Sequence, residues 1–196
     1  MRVQVVDAGA LGKYNDVFRF FLTLKRATLC SRGLWHLLHT RRRSACELTD
    51  VSASHQLHLM RLHAHELCHF TSTIEAYFVT FACEDCWSRI RTRVASADSI
   101  AALRQAHEEY VDAAWRHCLL HPGGASVQEL VRAILKLVIA LHHQTETSGW
   151  EAVATASRRH FALLKQALVR AMPSLMTVCE TQRDDMGQMG HDHGMP

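Results

Sequence analysis

Chain breakers are scarce in this sequence: 196 residues carry three prolines and nine glycines. Neither occurs between His55 and Trp87, so nothing in that stretch forces a helix to break. No apolar run approaches the length needed to span a bilayer, and Met1–Asp7 is too short and too polar to act as a secretory leader. A phosphate-binding glycine loop, a dinucleotide glycine pattern and a G-x-S-x-G elbow are all missing, so nucleotide-dependent and serine-hydrolase chemistry has no support. Charged residues make up 21% and the formal charge is +3. No sustained Lys/Arg stripe is interleaved with aromatics, so a nucleic-acid partner is not expected. The seven cysteines (Cys30, Cys46, Cys68, Cys83, Cys86, Cys118 and Cys179) are odd in number and scattered through helical pattern. The expectation is a soluble, reducing-compartment chain with free thiols, no membrane contact and no cofactor.

What is present is helical periodicity. At about 100° per residue, Met60, Ala64, Leu67, Thr71, Ile74, Phe78 and Phe81 share one side of the His55–Trp87 stretch, with Leu57 and Tyr77 near its edge. His58, His65, His69 and Ser72 point to the far side. This spacing predicts one long amphipathic helix whose core line is Met60, Leu67, Ile74 and Phe81, ending between Trp87 and Ala95 among Arg89, Arg91 and Arg93.

The same stretch contains His65-Glu66-Leu67-Cys68-His69, an H-E-x-x-H spelling. Two histidines four apart on a helix with an intervening glutamate suit a zinc hydrolase. A catalytic site also needs a third ligand and a walled cleft. Here the histidines lie opposite the apolar line, Ser72 and Glu75 stand where a metzincin would have Gly and His, and Glu84 is too near to serve as a distant third ligand. A polar or partner-binding helix face is the preferred reading, with a zinc hydrolase kept as the alternative. Cys83 and Cys86 form a C-x-x-C without a second pair, and read as plain thiols.

Residues 1–12 read as a ragged edge with a strand stub at Val3–Val6. A first helix is expected from Tyr14, with Val17, Phe18, Phe21, Leu22, Leu24 and Leu29 as its apolar face, continuing through Trp35 and Leu38 to the cations Arg41–Arg43. Gly33 weakens its middle by about 1 kcal/mol. Residues 44–54 form a connection. A third helix is expected at about 99–121, capped by Ser96 or Asp98 and stopped by Pro122-Gly-Gly124; its apolar residues are Ile100, Leu103, Ala106, Tyr110, Ala113, Ala114, Leu119 and Leu120. Ser126 with Glu129 reads as a capping box for a fourth helix, where Val127, Leu130, Val131, Ile134, Leu137, Val138 and Leu141 pack; Ser148 with Glu151 repeats the device for a fifth, with Val153, Phe161, Leu164, Leu168 and Met172 along it, closed by Pro173. The fold class is therefore all-α, a bundle of about five helices around one long central helix. The domain is drawn at 13–180, with a disordered Met/His-rich tail at 181–196. Taken alone, this describes a generic helical adaptor.

Four ordered motifs add to that. Tyr14-Asn15-x-x-Phe18-x-Phe20-Phe21-Leu22-x-Leu24-Lys25-Arg26 followed by Leu34-Trp35 resembles the Y-N-x-x-F-x-x-L-L-x-L-K helix of the gamma-tubulin complex proteins. Leu59-x-Arg61, Glu66-Leu67-x-His69-Phe70, Tyr77 and Trp87 resemble that family's long helix, and Ile100, Leu103, Ala106-His107 and Tyr110 its next one, closed by Leu119-Leu120. The H-E-x-x-H-F phrase is similar to the component 6 branch. The resemblance covers about residues 13–170. It implies the C-terminal helical domain, a non-enzymatic scaffold that binds gamma-tubulin and other complex components and supports microtubule nucleation at microtubule-organising centres and spindle poles. It also implies a truncated domain, since the family's N-terminal contact domain and its usual aromatic ending have no counterpart here. On this reading the off-core positions Arg41, Arg42, Arg61, His65 and His69 are expected to face gamma-tubulin.

Overall fold

The computed structural model describes residues 8–44, 51–148 and 154–189; side chains of 41–44, 51–53, 154, 172 and 174–189 are outside the described set. The order is α1 (Ala8–Ser44), α2 (Val51–Phe78), a π-helical segment (Val79–Asp85), α3 (Cys86–Ala95), α4 (Ile100–His117), a 3-10 turn (Pro122–Gly124), α5 (Ala125–Ser148) and α6 (Ala154–Met189). No strand occurs among the described residues. The chain passes from α2 through the π segment into α3 without a break, so the long central helix expected from the breaker-free sequence is present.

α1 lies against α2, α5 and α4, while α3 pairs with α4 and α5 with α6. One core threads these helices: Phe20, Leu24, Leu34 and Leu38 from α1, Met60, Leu67 and Phe78 from α2, Ile134, Leu135, Val138 and Leu141 from α5, and Phe161 and Leu168 from α6. Small residues set the α1–α2 spacing. Ala27, Thr28 and Ser31 are buried opposite Ala64 and Thr71, and the Ser31 and Thr71 hydroxyls meet at 2.9 Å. Both hydroxyls also lie within bonding distance of carbonyls on their own helices, so neither is left unsatisfied by burial. α1 also meets α5 at Gly33, where an added Cβ would stand 2.5 Å from His142 Nε2. The glycine that costs helix propensity leaves the space that the His142 ring occupies.

Several expectations change. α1 starts at Ala8, ahead of Tyr14, and runs through Gly12; the strand stub at 3–6 lies outside the described residues. Its buried line is Phe20, Leu24, Ala27, Ser31, Leu34 and Leu38, whereas Phe18, Leu22 and Leu29 are exposed. The helix carries two apolar lines on opposite sides, and periodicity cannot choose between them. On the central helix, Phe81 is exposed while Ala82 and Cys86 are buried. The i→i+5 pattern of the π segment widens the turn and rotates the face by about one residue. A straight α-helical extrapolation therefore puts the wrong residue in the core.

α4 is capped by Ser99, whose Oγ accepts the Ala102 N–H at 3.1 Å, in place of Ser96 or Asp98. Its buried set is Ala106, Val111 and Ala114, and Ile100 is exposed. It ends before Pro122: Leu119 adopts φ 58° and the Leu120 N–H reaches back to Trp115 O at 3.2 Å, a Schellman-type close. Gly124 packs tightly against the Leu119 backbone, where an added Cβ would stand 3.1 Å away. Ser126 falls inside α5, which the 3-10 turn leads into, so it is not an N-cap. Ser148 ends α5, and its partner Glu151 lies outside the described residues. Pro173 sits within α6 and does not end it. The Met/His-rich tail drawn from 181 coincides with the last turns of α6 as far as Met189, and residues 190–196 lie outside the described set.

Candidate functional site

The residues expected off the core gather mainly where the end of α1 meets α2. Arg61 reaches across the seam, and its Nε and one terminal nitrogen donate to Leu38 O at 3.2 and 3.1 Å. This joins α2 to the backbone of α1 through a charge-assisted hydrogen bond. His65 is exposed, with its ring 5.7 Å from that of Trp35. Trp35 in turn carries His39 at 4.0 Å, so an indole lies between two imidazoles on the outer surface. His69 is one turn further along α2 and exposed. Arg41 and Arg42 belong to the last turn of α1, but their side chains lie outside the described residues. The structure thus brings Arg61, His65 and the end of α1 together, with His69 beside them.

The H-E-x-x-H residues do not converge. His65 turns to Trp35, while Glu66 pairs with Lys165 of α6, which also lies over the Phe161 ring at 5.6 Å. Among the described residues, no group of three His, Cys, Asp or Glu side chains is placed to hold a metal ion. Glu75 is drawn towards α1: burial would raise its pKa, but hydrogen bonds from Lys25 and Thr28 hold the carboxyl below its ordinary value. Cys83 is exposed and Cys86 buried, both unpaired, and burial raises both thiols. They are weak nucleophiles at neutral pH.

Sequence reasoning missed His63. It is buried at 3% exposure, bonded through Nε2 to Ser157 Oγ of α6 at 3.1 Å, and set against the Phe161 ring at 5.6 Å. Burial pushes its pKa down to about 4. Its position, about 40° from Leu67 on the helical wheel, was the available signal, since a histidine there faces inward. Its hydrogen-bond partner Ser157 had no local sequence cue.

Comparison with known proteins finds one matching family model, Gamma tubulin complex component C-terminal, over residues 4–192. Gamma-tubulin complex component 6 of Homo sapiens is 28% identical over 167 residues, which is 83% of this chain and 9% of that protein. Gamma-tubulin complex component 3 of Arabidopsis thaliana is 23% identical over 141 residues, 69% of this chain and 17% of that protein. Gamma-tubulin complex component 3 homolog of Xenopus laevis is 26% identical over 133 residues, covering 66% and 14%. The chain therefore spans less than a fifth of the length of each of these relatives.

Proposed function

Because the chain belongs to the gamma-tubulin complex component C-terminal family, we propose that it acts as a gamma-tubulin-binding scaffold of the gamma-tubulin ring complex. In that role it contacts gamma-tubulin and other complex components, supports microtubule nucleation, and resides in the cytoplasm at the cytoskeleton, microtubule-organising centres and spindle poles. The observation that carries this reading is a family match over residues 4–192, nearly the whole chain.

The work of such a scaffold is positional and needs no chemistry at a reacting atom. Long helices sharing one core resist bending, so a surface at one end can be held at a fixed orientation. The proposed gamma-tubulin contact is the seam formed by Arg41 and Arg42 at the end of α1 with Arg61, His65 and His69 on α2. Arg61 is half-buried and already bonded to Leu38 O, so its part is to order the seam. His65 and His69 offer exposed polar area beside Trp35. No observation favours the zinc hydrolase, since Glu66 is engaged by Lys165.

Co-precipitation with purified gamma-tubulin is the test. The unaltered chain should recover gamma-tubulin, and Arg41→Glu with Arg42→Glu should reduce the yield at least several-fold while leaving the helical circular dichroism intact. Unchanged yield removes those two arginines from the interface. No recovery by soluble, folded, unaltered chain overturns the reading and leaves a generic helical adaptor.

A further inference from the structure

α1 carries an apolar line that no described residue covers. Leu11, Phe18, Leu22 and Leu29 are 56%, 62%, 54% and 67% exposed. At about 100° per residue these positions fall within about 20° of one line, directly opposite the buried line through Phe20, Ala27 and Leu38. The spacing of seven, four and seven is the pattern by which one helix receives another. From Leu11 to Leu29 the line runs about 27 Å, at 1.5 Å per residue. Isolated exposed leucines are ordinary on a protein surface, but four large apolar side chains in register on one helix form a row of anchors, spaced by Asn15 and by Lys25 and Arg26.

The shoulders of this line say what would fit. Arg19 and Arg26 flank it on one side and Lys25 and Arg32 on the other, all four exposed. Carboxylates from neighbouring helices have partners of their own: Glu75 pairs with Lys25, Asp112 with Lys13 on the far side of α1, and Glu146 lies 3.4 Å from His142 Nδ1. No Asp or Glu of α1 between Leu11 and Leu29 lies beside the line; Asp16, the acidic residue in that span, is about 140° round the helix from Leu11.

We propose that this face of α1 docks an amphipathic helix of about five turns, one not contained in residues 1–196, with an apolar stripe and acidic shoulders. The apolar stripe would interdigitate with Leu11, Phe18, Leu22 and Leu29, and glutamates or aspartates on its shoulders would meet Arg19, Arg26 and Arg32. Apolar burial supplies the affinity, and the one-signed rim selects the partner's charge and orients its approach. A second copy of this face is a poor occupant, because two such surfaces would set arginine against arginine. The inference rests on α1 alone and does not depend on gamma-tubulin binding.

The test uses the full chain and three labelled 20-residue helical peptides sharing one leucine stripe, with glutamate, lysine or serine shoulders, followed by fluorescence anisotropy. The glutamate peptide should bind at least tenfold more tightly than the lysine peptide. Phe18→Asp with Leu22→Asp should abolish that binding; both positions are exposed, so circular dichroism and the melting curve should stay close to the unaltered chain. Arg19→Glu with Arg26→Glu should reverse the preference towards the lysine peptide. Equal affinity for all three peptides, or no binding of any, overturns the proposal. So does concentration-dependent self-association in sedimentation that Phe18→Asp removes, since the occupant would then be a second copy.

Discussion

Acidification from pH 7 to pH 5 should destabilise the fold through His63. The imidazole lies between α2 and α6, 3% exposed, with Nε2 on Ser157 Oγ and Phe161 alongside. Burial is the main reason its pKa falls to about 4; Arg158 and Lys165 push in the same direction, and Glu66 opposes them. The unfolded chain takes up a proton near pH 6.5, whereas the folded chain refuses it until about pH 4. Stability is therefore complete above about pH 6.5 and falls by about 1.4 kcal/mol per pH unit as the pH drops towards 4. At pH 5 the loss is about 2 kcal/mol, and well below pH 4 it levels near 3 kcal/mol. Other groups titrate in this range, including His117, whose pKa burial also lowers. The contribution is thus read as the difference between the unaltered chain and His63→Gln in urea melts at pH 7 and pH 5. The variant starts weaker at pH 7 but should lose about 2 kcal/mol less on acidification. If both proteins lose the same stability between the two pH values, His63 is not a buried neutral base and the account of the α2–α6 contact fails.

Gly33→Ala gains about 1 kcal/mol of helix propensity yet places a Cβ 2.5 Å from His142 Nε2, so melts should show a net loss of about 1 kcal/mol. In a His142→Ala background the same change should stabilise, and a double-mutant cycle measures the coupling. Phe78→Ala removes a buried ring that meets Phe20 edge-on at 4.8 Å and should cost about 3–5 kcal/mol. Phe81→Ala, at an exposed position on the π segment, should cost much less, within about 1 kcal/mol; equal costs would refute the register shift. Arg61→Ala leaves Leu38 O without its cationic donor and should lower stability by about 1–2 kcal/mol in urea melts.

The all-α class, the long central helix and most of the α5 core line were legible because they follow from local periodicity. Val127, Val131, Ile134, Val138 and Leu141 recur every three or four residues and are buried as that spacing requires. Element ends were less legible. Ser96, Asp98, Ser126 and Ser148 all have capping chemistry, but only geometry shows that Ser99 supplies the bond to Ala102. The seam residues were legible in part. The outward side of α2 places His65 and His69 in solvent as the wheel requires, while Arg61 sends its guanidinium to a backbone carbonyl 23 residues away in sequence.

The sequence by itself determined that this chain is helical, where its breakers fall and which side of α2 is polar. It also carried ordered motifs resembling a single family. These are properties of residues within a few turns of one another, and steric propensity and the 3.6-residue period decide them. Tertiary structure alone decided which of the two apolar lines on α1 is buried, where the π segment turns Phe81 out and Ala82 in, and that His63 meets Ser157. Each of these depends on groups far apart in the chain. Close packing lets α2 and α5 claim the Phe20–Leu38 side through the small residues Ala27, Thr28, Ser31 and Gly33, leaving Phe18, Leu22 and Leu29 in water.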